Sequence, residues 1–231
     1  MVRDALGVGL AVGTYGVAFG AASVAAGLSV AQTTLLSLLA FTGGTQFAVV
    51  GVVSGGGTLG TALSSGLLLG GRNTLYAMRL APLLQVRGLR RLVAAHGTVD
   101  ETTAMAVARR DPAQARLAFW STFAAIYTFW NVATVTGAVG AQALGDPARL
   151  GLDAVVPAVF LALLAPRLRR GERSGEGAGR PAAERRIALG AAAIALVLIP
   201  LTPPGVPVLA SSAALLLAGR PKRRSPSEGD S

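Results

Sequence analysis

The chain has 231 residues, 52% of them hydrophobic and 14% charged, with a formal net charge of +10, one histidine and no cysteine. A soluble domain carries about 25% charged residues, and the lack of cysteine excludes disulfides, thiolate chemistry and, with a single histidine, the usual soft-metal clusters. The charges are also segregated, because Ala5 to Gly71, Leu117 to Gly145 and Ile187 to Gly219 contain no Asp, Glu, Lys, Arg or His.

At ~1.5 Å per helical residue, the first run alone makes roughly 100 Å of helix, about three crossings of a ~30 Å hydrocarbon core. The expected fold is all-α, a polytopic helical integral membrane protein. Barrel strands would alternate in short segments, and these runs are too long and too uniformly apolar for that. Arginines cluster at Arg87, Arg90, Arg91, Arg109, Arg110 and Arg116, again between Arg167 and Arg186, and with Lys222 in the tail. Each cluster borders an apolar run, as cytoplasmic loops facing an anionic leaflet do. No aromatic residues interleave with them, so nucleic acid is not an expected partner.

In chain order, Ala5 to Gly27 reads as a retained first span, since it exceeds the core of a signal peptide and another apolar run follows at once. Val30 to Val53 is a second span, broken at Thr42-Gly43-Gly44-Thr45-Gln46. A third runs from near Thr58 through Gly70-Gly71-Arg72 to about Leu84, and Leu117 to Leu144 is a fourth between two Asp-Pro pairs. Gly151 to Pro166 is a short fifth. Ile187 to Gly219, interrupted by Pro200, Pro203, Pro204 and Pro207, reads as two short spans with a hinge. About seven membrane segments result, some of them broken or re-entrant. Residues 1–219 form one transmembrane domain and 220–231 a disordered basic and polar tail, while Gly171 to Pro181 is expected to be a flexible loop. With the basic segments in the cytoplasm, three full spans put the N-terminus outside; a re-entrant Val30 to Val53 puts it inside.

Several residues invite chemistry. Gly9, Gly13, Gly16 and Gly20 form one stripe on one helix face, which lets a neighbouring helix approach closely. The break at Gly43, Gly44 and Gln46 reads either as a ligand-binding half-helix end or as a packed kink whose glutamine satisfies a neighbouring helix. Arg72, Tyr76 and Arg79 share a face: either the helix ends near the head groups, or Arg72 offers two-pronged contact to a carboxylate. Asp100-Glu101 is the chain's adjacent acidic pair, read as a solvated loop helix or as a carboxylate site for an ammonium group or a coupling proton. His96 is expected at the surface. No nucleotide phosphate loop, H-E-x-x-H or G-x-S-x-G occurs, so an enzyme is not expected. His96 with Asp100 would be the thin basis for a hydrolase.

These pieces together resemble the AzlC family of branched-chain amino acid permeases, from about Gly7 to Leu217. The resemblance is carried by Gly16-Val-Ala-Phe-Gly20 with Ala25 to Ser29, by Ser37 to Phe47 (SLLAFTGGTQF), and by Arg72 with Leu75-Tyr76 and Leu80-Ala-Pro82. Asp100-Glu101, Phe119 with Tyr127 and Trp130, and Gly151-Leu-Asp153 with Phe160 to Pro166 complete it. It implies a transporter domain in the bacterial inner membrane, exporting valine, leucine, isoleucine or similar amino acids with a small AzlD-type membrane partner and no cofactor. It also implies roles for Gln46, Arg72, Asp100 and Glu101. The chain departs from the family pattern at Gly70-Gly71-Arg72-Asn73 and at Arg79, positions that bear on substrate choice. For a zwitterion, Arg72 or the Gly43-Gly44 break suits the carboxylate, Asp100 or Glu101 the ammonium group, and Phe47 and Trp130 an apolar side chain. Coupling to a proton or ion gradient is expected. The rival readings are a non-transporting scaffold or accessory subunit and a carrier of another small zwitterion.

Overall fold

The computed structural model describes residues 1–145, 158, 160–162, 165, 179–203 and 206–214. These form helices joined by turns and short irregular stretches and contain no strand. The chain divides into two compact units, Met1–Leu161 and Ala162–Ser231.

The first unit is organised around two long helices, α1 (Val2–Ala25) and α8 (Pro112–Ala143). The glycine stripe decides how they meet. A Cβ on Gly9 would lie 2.9 Å from Ala125, on Gly13 2.9 Å from Phe129 and on Gly16 2.7 Å from the Trp130 carbonyl oxygen, while on Gly20 it would overlap the Thr134 carbonyl. Positions rise together along both helices, so α1 and α8 run parallel at near-backbone contact. Asp111 caps the start of α8 by accepting from the Gln114 amide at 3.0 Å, and Pro112 occupies the first helical position, where no backbone N–H is needed. At that same end, Arg109 Nη2 lies 3.7 Å from Asp4 on α1. Among the described residues α1 is the one helix long and apolar enough to cross a membrane alone.

The second expected span is a hairpin. α2 (Val30–Leu39) opens on Ser29, whose hydroxyl accepts from the Gln32 amide while the Gln32 side chain accepts from the Ser29 amide. It descends antiparallel to α8: Ser37 Oγ donates to Asn131 Oδ1 at 2.7 Å, and Phe41 beyond it packs on Tyr127 and Phe123. The helix then stops and α3 (Gly43–Ser54) climbs back, with Gly43 against Trp130 and Phe47 on Phe19. The non-helical residues are Ala40, Phe41 and Thr42. Gly43 and Gly44 are the first turn of α3 and are not themselves unwound, which corrects the expected position of the break.

The third expected span is divided too. α4 (Leu59–Gly70) packs antiparallel on α3, its Gly66 against Val49 and Thr45, and α5 (Arg72–Leu84) continues downward after Gly71. Arg116 Nε donates to the Leu83 carbonyl at 3.0 Å, which fixes the lower end of α5 beside the start of α8. Arg72 therefore lies midway along the α4–α5 segment, not at its end.

The segment expected to be a loop is a second hairpin. α6 (Leu89–His96) rises from that basic end and α7 (Asp100–Val107) returns to it. Ala94 and Ala106 pack with Leu80, Leu84 and Phe119, and Gly97 at the tip meets the Phe123 ring. Thr102 braces the tip, its hydroxyl donating to the Gly97 carbonyl at 2.7 Å and accepting from the Val99 amide at 3.0 Å. The first unit thus has three long segments that run its length, α1, α4 with α5, and α8, between which two hairpins enter from opposite ends. Arg3, Arg87, Arg90, Arg91, Arg109, Arg110 and Arg116 lie toward one end; the turns 26–29 and 55–58 at the other are uncharged. The first turn of α1 shares the arginine-rich end, the arrangement that follows when Val30 to Val53 is re-entrant.

In the second unit α9 (Gly179–Leu198) is followed by turns at Ile199–Thr202, within the expected hinge, whereas Pro207, also expected to interrupt the helix, lies inside α10 (Val206–Ser211). Ser211 Oγ donates to the Ala191 carbonyl at 3.2 Å. Gly179 to Pro181, expected within a flexible loop, begin α9. Most of the short span Gly151 to Pro166, the loop residues 171–178 and the tail 220–231 lie outside the described residues.

Candidate functional site

The two hairpin tips meet inside the first unit. Phe41 at the first tip packs at a tilt against His96 at the second, ring centroids 5.8 Å apart, and Phe123 and Tyr127 of α8 close the box around the imidazole at 6.3 and 5.7 Å. His96 is half-buried, which corrects its expected place at the surface.

Three helix starts converge beside that contact. α3 begins at Gly43, α5 at Arg72 and α7 at Asp100. Helix N-termini carry partial positive charge, which favours anionic groups. A Cβ on Gly44 would stand 3.6 Å from Arg72 Nη2, and Arg72 Nη1 is 3.0 Å from Asp100 Oδ2. The pair is partly accessible, with side chains 33% and 36% exposed. Arg72 Nε and Asp100 Oδ1 are shielded and have no hydrogen-bond partner among the described residues. Asp100 and Glu101 occupy the first turn of α7.

Gln46 is fully buried one turn into α3. Its amide nitrogen donates to the Ser37 carbonyl at 3.2 Å, satisfying the last turn of α2, while its oxygen has no partner among the described residues. Of the two readings of the break, that amide contact matches the kink satisfied by a glutamine, and the packing of Gly44 on Arg72 keeps the half-helix-end reading in play. Trp130 lays its ring against Gly43, whose added Cβ would be 3.0 Å from Cη2, and stacks on Phe19 at 6.0 Å. Phe47 completes an apolar wall with Phe19 and Val50.

The expected residues thus fall into linked groups: Gly44, Arg72 and Asp100 in one line of contact, Gly43, Trp130 and Phe47 in another, and Gln46 tying the hairpin together. Tyr76 is half-buried one turn below Arg72, and Arg79 is exposed. Sequence reasoning missed Phe41 and the brace Thr102; a Phe in an apolar run and a Thr in a charged one carry no signal of their own.

Among the described residues, the first unit is thus an all-helical bundle in which two opposed hairpins meet beside a partly exposed ion pair. A family model described as AzlC protein matches residues 7–144, more than half of the chain and all the residues above, and the chain belongs to the AzlC family. It is a membrane family with a transport-related role. No curated protein and no solved structure matches the chain.

Proposed function

We propose that the chain is a secondary transporter of the bacterial inner membrane that exports branched-chain amino acids or similar small zwitterions. The Arg72–Asp100 pair at the meeting of the hairpins carries this reading: Arg72 with the start of α3 takes the substrate carboxylate, Asp100 with Glu101 takes the ammonium group, and Trp130 and Phe47 form the wall for an aliphatic side chain. In the unloaded protein each charge serves as the other's partner, so substrate trades one ion pair for two. This avoids leaving either charge without a partner.

Membrane placement draws support from the outer surface. Leu10, Leu35, Leu39, Leu63, Leu67, Leu75, Met78 and Val132 are all exposed, more apolar surface than a water-soluble monomer tolerates. The arginine-rich end then faces the cytoplasm, with the N-terminus on that side. Coupling to a proton or ion gradient and a small AzlD-type membrane subunit belong to the same proposal.

The test is efflux from proteoliposomes loaded with labelled valine, with and without imposed pH and sodium gradients. Efflux by the wild-type chain with its partner, lost in Arg72→Gln and Asp100→Asn, supports the reading. Equal efflux from both variants removes it, and efflux indifferent to every gradient removes the coupling. Thermal stabilisation screened across the twenty amino acids identifies the substrate, because a ligand raises apparent stability by mass action.

A further inference from the structure

A second polar site lies at the arginine-rich end, away from the hairpin tips. There α5 ends in a left-handed residue, Gln85 (φ 51°), and the chain turns through Gly88 (φ 57°) into α6. The turn opens a cleft of about 840 Å³ whose lining includes Arg87, Arg90 and Arg116 and no acidic residue. Arg116 is held in place, donating to the Leu83 carbonyl and, at 2.7 Å, to Gln85 Oε1. Neither acceptor is charged, so three like charges share the cleft without a carboxylate. Its other walls are apolar and include Leu89, Val93 and Trp120. Leu89 is 80% exposed.

We propose that this cleft binds the phosphodiester headgroup of an anionic phospholipid, with Arg87, Arg90 and Arg116 around the phosphate and an acyl chain along Leu89, Val93 and Trp120. Charge complementarity selects the headgroup, and a basic pocket between helices on the cytoplasmic side is where such lipids bind. The apolar walls separate a lipid from a free anion: phosphate alone leaves Leu89 in water, whereas a lipid covers it and sets the Trp120 indole at the interface. Since α6 leads directly to the tip bearing Asp100, an occupied cleft also steadies the second hairpin. The proposal rests on the membrane placement above but not on transport.

The experiment titrates the full chain, in neutral detergent micelles, with dioleoyl phosphatidylglycerol, dioleoyl phosphatidylcholine or inorganic phosphate, reading bound lipid by native mass spectrometry and midpoint shift by thermal denaturation. Phosphatidylglycerol is expected to bind and to raise the midpoint where the other two do not. Arg87→Gln with Arg90→Gln weakens it about 25-fold, roughly fivefold per arginine, while Arg110→Gln, exposed and outside the cleft, stays within twofold. Arg90→Gln alone, expected to lose about fivefold, decides the matter if the double variant does not fold. Equal binding of both lipids, an equal effect of phosphate, or undiminished binding by the Arg87/Arg90 variants overturns the proposal. Valine efflux from the same variants fails or survives independently, so the two proposals stand or fall separately.

Discussion

Arg72 and Asp100 are 28 positions apart in the chain, yet the guanidinium of one lies 3.0 Å from the carboxylate of the other. The contact joins the middle of the α4–α5 segment to the tip of the α6–α7 hairpin, which enters and leaves at the same end. With each side chain about one-third exposed, solvent screens the pair, and its worth to stability is discounted to about 1 kcal/mol. Arg72→Gln and Asp100→Asn should therefore remain folded, losing only a few degrees in thermal midpoint, while efflux falls by at least tenfold if each charge holds a substrate group by about 1.4 kcal/mol or more. Reversing both charges is the sharper measurement. Arg72→Asp with Asp100→Arg restores the pair and the midpoint but puts the wrong charge at the start of α3, so efflux stays lost; recovered efflux would make the pair purely structural.

The glycines of α1 separate packing from propensity. Gly20 lies against the backbone of α8 with no room for a methyl group, whereas a Cβ on Gly7 meets nothing within 4 Å. Gly20→Ala should destabilise by about 1–3 kcal/mol through forced separation of the helices, and Gly7→Ala should be neutral or stabilising by up to ~1 kcal/mol from helix propensity. Thermal denaturation in one detergent measures both. Equal effects at the two positions would remove the close-contact account of the stripe.

Gln46 predicts a different loss. Its side-chain amide is the link from α3 back to the Ser37 carbonyl, and Gln46→Leu removes that donor while leaving buried acceptors behind. Such a change costs about 1–3 kcal/mol. Gln46→Glu retains the shape but turns an oxygen toward carbonyl oxygens, and should be worse than leucine above the carboxyl pKa, with the difference shrinking as the pH falls. A midpoint-against-pH series for the two variants checks the order.

How much of this was legible follows from the range of each interaction. The glycine stripe, the Asp111-Pro112 start of α8 and the existence of a break before Gln46 are local signals, readable because i, i+4 spacing and Pro at a first helical position have fixed geometric meaning. Whether the chain past the break continues downward or turns back was not legible, because the same Gly-Gly serves a kink and a hairpin. What decides it is Phe41 finding His96 and Gln46 finding Ser37, contacts the sequence does not announce. The α6–α7 hairpin was masked for another reason. Charge density argued that Arg87 to Arg116 stays outside, yet Asp100 enters the bundle because Arg72 is there to meet it, while the neighbouring arginines remain at the end.

The arrangement of ends is open to a direct measurement, since the chain has no cysteine and single cysteines can be introduced without a background. Parallel α1 and α8 put Val2 and Ala113 at one end, and the first hairpin puts Ser54 at the other; all three are exposed. If the arginine-rich end faces the cytoplasm, as the excess of basic residues there dictates, a membrane-impermeant maleimide added to intact cells should label Ser54→Cys and spare Val2→Cys and Ala113→Cys, which react only after the membrane is opened. Labelling of Val2→Cys and Ser54→Cys from the same side would mean that Val30 to Val53 is not a hairpin. The tips would then not meet, and the approach of Gly44 to Arg72 and Asp100 on which the carrier mechanism depends would have no structural basis.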